Sequence, residues 1–218
     1  KAIDWDAVSR SLPANASAPD AAMAVAMATR QAALPEADRA RLLATIATDE
    51  SPAVRAAVAL ANWQVPGNPT EQMLVEALKD NDAMVRLVAA DALLSISNPA
   101  GLVEVLKALA SEDANIFALA QNVFTCKVLD GEKSRYPIGP AEAAALGDLL
   151  IRTNSREQES KCWYTRSTAI RLLGQCGRQE GIDPLLAAMR FDAGRHGGKR
   201  NMCRCIDALG RLRARKAV

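Results

Sequence analysis

Aromatic residues are scarce, at 4% of the chain, and runs of Val, Ile, Thr and Tyr of the strand type are almost missing. That excludes a sheet-built fold, because strands draw on β-branched and aromatic side chains. Histidine occurs once, as His196, and no C-x-x-C is present. Cys203-x-Cys205 has the wrong spacing for a zinc knuckle, so no metal or cofactor site is expected. No apolar run approaches the roughly 18 residues of a membrane span. No secretory leader is legible either. The chain starts at Lys1 rather than Met, which points to something removed upstream. Cytoplasm and, after loss of a leader, periplasm both stay open.

What is present is apolar and helical. Half of the 218 residues are hydrophobic and Ala is abundant, which suits closely packed helices. The net charge of +2 implies no partner by itself. Its distribution is uneven. Residues 111–218 hold 18 Lys/Arg against 12 Asp/Glu, and the last 25 residues hold 8 against 1. A basic end of this kind marks either a solvated terminus or an anion-binding surface.

The chain also repeats itself. In "DESPAVRAAVAL", Asp49 to Leu60, Val54 can be numbered zero; Arg55 follows at +1, Val58 at +4 and Ala61 at +7. Thirty-one residues later Val85, Arg86, Ala89, Ala92 and Leu93 repeat the order, with Leu93 at +8. Another 31 residues lead to Ile116, where Phe117 replaces the Arg but Ala120, Val123 and Phe124 keep the apolar pattern. The register then slips by 18 to Thr165-Arg166, with Ala169, Leu172, Leu173 and Gly174, and by 5 to Asn201, with Cys205, Ala208, Leu209 and Gly210. Positions 0, +4, +7 and +8 form one stripe on a helix. Between these A helices lie partner helices, two of which open with Asn-Pro, at Asn68-Pro69 and Asn98-Pro99, a capping side chain followed by a first-turn Pro. A single hairpin cannot cover its apolar face, whereas stacked hairpins share one core. The expected fold is therefore all-α: an α-solenoid, or α–α superhelix, of about five to six antiparallel helix hairpins. One domain is expected over 1–218, with an N-terminal cap at 1–19, irregular insertions at 127–163 and a basic C-terminal unit at 194–218.

Asp49, Pro52, Val54, Arg55, Asp80, Val85, Arg86, Ala89, Ala90, Ala92 and Leu93, with Arg166, Ala169, Leu173 and Gly174 as a later copy, resemble HEAT repeats. The likeness is to the short type also found in phycobilisome-lyase-like proteins, and it covers most of 20–212. The resemblance implies a ladder in which Asp and Arg of neighbouring units pair. Arg55 and Arg86 would then bind the turns at Asp80 and Asp82, and these residues, with Arg166, would be structural.

No catalytic residue stands out. His196 lies in the Gly-rich "DAGRHGGKR", which lacks the spacing of a phosphate-binding loop. Cys126 and Cys176, at +10 and +11 of successive A helices, leave open a disulfide or two buried thiols. Trp5 and Trp63 are expected to pack at a cap and a helix end. Function is better sought where the period breaks. The insertions "CKVLDGEKSRYPIGP" and "TNSREQESKCWYT" carry Tyr136 and the Trp163-Tyr164 pair, and such insertions form loops that often lie on a binding face. With Arg195, Lys199 and Arg200 they are the candidate partner-binding residues. The expected activity is a non-enzymatic protein–protein interaction scaffold whose partner is another protein. A nucleic-acid-binding alternative would use Arg195, Lys199, Arg200, Arg204, Arg211 and Arg213 on phosphates, as HEAT-like DNA glycosylases use a basic face. By resemblance, a bilin-lyase-like enzyme is a second alternative.

Overall fold

A computed structural model describes residues 47–62, 68–154, 156–193 and 198–214. The helices are α1 (Pro52–Asn62), α2 (Asn68–Ala77), α3 (Ala83–Ser95), α4 (Leu102–Ala108), α5 (Ala114–Val123), α6 (Pro140–Arg152), α7 (Arg156–Cys176), α8 (Ile182–Ala193) and α9 (Lys199–Ala214). Two compact units divide the chain, one ending at Glu104 and the other starting at Val105. The N-terminal cap, Trp5, Trp63, Arg195 and His196 lie outside the described residues.

Short polar turns set the helix ends. Asp82 caps α3, its carboxylate accepting from the backbone N–H groups of Met84 and Val85 at 2.9 and 3.1 Å. Asp113 caps α5 in the same way through Asn115 and Ile116. At its far end α3 closes with the left-handed Ser97, φ 64°. There Ser97 N–H donates to Leu94 O and Asn98 N–H to Leu93 O, the double bond of a Schellman stop. Asn98 then starts the next element by accepting from Ala100 N–H at 2.8 Å, with Pro99 behind it. One three-residue turn thus ends one helix and begins its partner.

In the first unit Ala59, Leu74, Ala89, Ala92 and Leu93 form a buried cluster, joined by Val75, Leu78 and Val88. Gly101 permits the tight approach of the Pro99–Gly101 turn to α3. A Cβ there would stand 2.5 Å from Ala90 O. In the second unit the stripe of α7 buries Thr165, Ala169, Leu172 and Leu173, and that of α9 buries Asn201, Cys205 and Ala208. Ile116 and Leu209, expected in the stripe, are half-buried.

Three features depart from the sequence reading. The first insertion is not a plain loop. After α5 the chain makes a π-type turn, Phe124–Val128, and then a two-stranded hairpin, β1 (Leu129–Asp130) with β2 (Lys133–Ser134). Phe124 and Val128 are fully buried and anchor it. Gly131 takes φ +57°, the left-handed conformation that two-residue hairpin turns require of their first residue. The second insertion is not a loop either: from Arg156 onward it is the first part of the 21-residue α7. Its residues include no Gly or Pro and several strong helix formers, so the helix extends through them. Cys126 and Cys176, finally, are both free, with Cys126 exposed on the π-type turn.

Arg55 joins the turns of successive hairpins. Its Nε and Nη2 donate to the two carboxylate oxygens of Asp80 at 2.7 and 2.8 Å, and Nη1 donates to the carbonyls of Asp49 and Glu50. Arg86 likewise binds the carbonyls of Asp80 and Asn81, but its carboxylate partner is Glu104 at 3.2 Å. Asp82 binds neither guanidinium directly; it caps α3 instead. The Arg55 hydrogen bond, above all, holds the Asp80 carboxyl below its ordinary value of 3.8. A depressed carboxyl stabilises the fold fully above its unfolded pKa and loses that contribution as pH falls through the folded one. Asp80→Asn should therefore lower stability by about 1–2 kcal/mol at pH 7. Urea titrations of both proteins should show the gap holding down to pH 5 and closing below about pH 4.

Candidate docking cleft

The site is best approached from the buried side of α7. Arg166 occupies the same +1 position as Arg55, yet it is fully buried. Its Nη1 donates to Leu150 O at 2.9 Å and to Thr153 Oγ1 at 3.2 Å, tying α7 to the end of α6. Nη2 donates to Asp192 Oδ2 of α8 at 3.3 Å, and the guanidinium lies 5.1 Å from the centroid of the Phe191 ring. The spacing repeats that of the first unit: Asp80 is 25 residues beyond Arg55 and Asp192 is 26 beyond Arg166. Asp192 was not picked out from the sequence, and this offset is the signal that would have found it.

The pair has neighbours that share its burial. Cys205 of α9 is fully buried, and its thiol is pushed up to about 12, first by burial and then by the Asp192 charge, against the opposing charge of Arg166. Gly198 passes so close to Asp192 that a Cβ would lie 2.0 Å from its carbonyl oxygen. Gly174 of α7 lets α9 approach in turn, since a Cβ there would meet the Ala208 side chain at 2.6 Å.

Held in this way, α7 turns its other face outward. Trp163, Tyr164, Ser167, Thr168, Arg171 and Gln175 follow helical spacing along it. Together with Arg204, Asp207 and Arg211 of α9 and the hairpin turn Gly131-Glu132, they line a cleft of about 460 Å³. Trp163 and Tyr164 are 39% and 46% exposed, so they do not pack inward as helix-start residues. The guanidinium groups of Arg204 and Arg200 lie 5.8 and 6.0 Å from the Trp163 ring centroid, within cation–π range. Arg171 Nη1 meets Glu132 Oε1 at 3.1 Å, and Arg211 meets Asp207 at 2.9 Å.

Of the partner-binding candidates, Trp163, Tyr164 and Arg200 are thus brought together. Lys199 is exposed at the start of α9. Tyr136 stands apart, half-buried in a neighbouring hollow with Ile138 and Cys176; the two hollows share Gln175 and Arg211. Arg171 and Glu132 were not singled out from the sequence, because neither lies in a recognisable motif. Among the described residues, no group of three or more His, Cys, Asp and Glu is placed to hold a metal ion. Among them also, no helix is long and apolar enough to cross a membrane.

Residues 39–122 match the family model for HEAT repeats. That segment is similar to HEAT repeats, and the fold class is all-α, the α-solenoid class of packed helical hairpins that such repeats imply. HEAT repeats are commonly protein-interaction scaffolds, and the fold is typically non-enzymatic. No curated protein sequence matches the chain significantly.

Two outcomes follow from the buried pair. Arg166→Met removes the buried guanidinium that pairs with the Asp192 carboxylate and should cost about 3–5 kcal/mol. The double variant Arg166→Met/Asp192→Leu should recover a large part of that loss in urea unfolding, because the buried carboxylate is removed with its guanidinium. In the native protein a mass-resolved alkylation time course should label Cys126 and Cys203 first, both being exposed, and half-buried Cys176 more slowly. Cys205 should react only on denaturation, since the thiolate is the nucleophile.

Proposed function

We propose that the protein is a non-enzymatic protein–protein interaction scaffold that engages its partner through the cleft beside Trp163 and Tyr164. One observation carries the reading: two exposed aromatics stand among Arg171, Arg200, Arg204 and Arg211 at a break in the repeat. Aromatic and Arg side chains supply most of the energy at protein interfaces. A ring that holds two guanidinium groups in place also lowers the entropy lost when they bind.

A second reading, nucleic-acid binding, draws on the arginines of α9. Arg200, Arg204, Arg211 and Arg213 lie on one helix, with exposed Lys199 at its start. Phosphate contacts would make such binding fall steeply with salt.

Affinity capture from the native extract separates the two. Trp163→Ala/Tyr164→Ala should abolish recovery of the specific partners, while Ile151→Ser, at an exposed site on α6, should leave recovery unchanged. Retention of the partners by the double variant would remove the cleft from the reading. A salt-sensitive shift with a single-stranded or duplex oligonucleotide would favour the second.

A further inference from the structure

We propose that the cleft receives an acidic, unstructured segment of the partner protein, and that Glu132 holds the place of a partner carboxylate until it is displaced. The inference rests on the reading of the cleft as a docking surface.

The argument starts from two arginines of the same chain. Arg55 shows the fork filled: Nε and Nη2 both hold the Asp80 carboxylate, at 2.7 and 2.8 Å. Arg171 shows it half filled. Its Nη1 meets Glu132 at 3.1 Å, while its Nε is buried with no acceptor among the described residues. A buried donor left without a partner is costly, and a carboxylate arriving bidentately would satisfy it.

Glu132 is a weak occupant. Its side chain is 83% exposed at the tip of the hairpin, beside Gly131. An exposed ion pair of this kind contributes little in water. A segment with several carboxylates can replace it and reach the neighbouring cations as well. Among the described residues Arg204 meets Asn201 Oδ1 at 3.5 Å and the Trp163 ring. Arg211 is paired with Asp207, whose side chain is 64% exposed.

The aromatics favour a peptide over a nucleic acid. Trp163 already carries two guanidinium groups against its ring, so its surface positions cations and is not clear for stacking bases. Exposed Tyr164 offers an apolar edge for an adjoining side chain. The volume of about 460 Å³ suits a few residues of extended chain.

The test is fluorescence anisotropy of the full chain with a fluorescein-labelled octapeptide of alternating Asp and Glu, flanked by a Tyr. Arg204→Gln and Arg171→Gln should each weaken binding by about tenfold. Arg178→Gln, at an exposed residue outside the cleft wall, should leave it within about twofold. Glu132→Gln should tighten binding by about threefold or more by freeing Arg171, whereas Glu180→Gln, which changes net charge equally, should not. Circular dichroism would confirm that each variant is folded, and Arg204→Gln decides the matter if Arg171→Gln unfolds. Equal binding of a Lys-rich peptide, tighter binding of a single-stranded oligonucleotide, or an equal effect of Glu132→Gln and Glu180→Gln would each overturn the inference. Should captured partners depend on Trp163 and Tyr164 while the acidic peptide fails to bind, the docking reading stands and this inference falls.

Discussion

The arginine one residue into an A helix is the contact on which the stacking of hairpins depends. A helix pair presents its apolar stripe to the next pair, but an apolar stripe is tolerant of sliding and rotation. A guanidinium fork is not, because it needs acceptors at fixed positions. Arg55 finds them in two carbonyls of its own entry turn and in the Asp80 carboxylate of the following turn. Asp80 in turn accepts from Asp82 N–H, and Asp82 caps α3. The charge contact, the turn and the start of the next helix are therefore one connected hydrogen-bonded unit, and register passes from one hairpin to the next through it.

The same device has different energetics in its two settings. The Arg55 and Asp80 side chains are 17% and 14% exposed, so water still screens them in part. Arg166 and Asp192 have no exposure at all. Desolvation of both ions offsets much of their attraction, and the pair contributes more to a unique arrangement than to net stability. That arrangement is what matters for the cleft. Arg166 reaches α6 through Leu150 and Thr153 and α8 through Asp192, so the rotation of α7 about its axis is set. Trp163, Tyr164, Ser167 and Arg171 are left on the face that looks onto α9 and the hairpin turn.

Much of the repeat was legible because its signals are local. A 3.6-residue stripe, an Asp before a helix and an Asn-Pro start each act within a few residues, and α1, α2, α3 and α5 begin close to where those signals stand. Two errors share a cause: a break in the period was taken as a break in structure. For "TNSREQESKCWYT" the helix-forming content of the segment should have prevailed, since nothing in it from Arg156 onward stops a helix. In the other insertion Gly131-Glu132 is a two-residue hairpin turn opened by its Gly, and two strands of two residues are too short to show any alternation. The cleft was less legible still. Trp163 meets Arg200 and Arg204 only because α7 and α9 pack side by side, a pairing that no local pattern encodes.

Arginine therefore has two uses here, and the acceptor it meets tells them apart: Asp80 and Asp192 are buried or nearly so, whereas Glu132 is exposed. Where the period holds, four of the five N–H donors of Arg55 end on acceptors supplied by the fold, so the side chain has little left to offer a partner. Where the period breaks, Arg171 spends one nitrogen on an exposed Glu132 and keeps Nε without an acceptor among the described residues, while Arg204 rests on a ring. A repeat whose arginines are all consumed by stacking gives a stable array with no preferred site. The hairpin brings Glu132, and the lengthened α7 brings Trp163 and Tyr164, to arginines of α7 and α9 that stacking does not use, and Trp163 gives two of them a fixed geometry. Recognition can then be acquired at one point of the array without weakening the contacts that keep its hairpins in register.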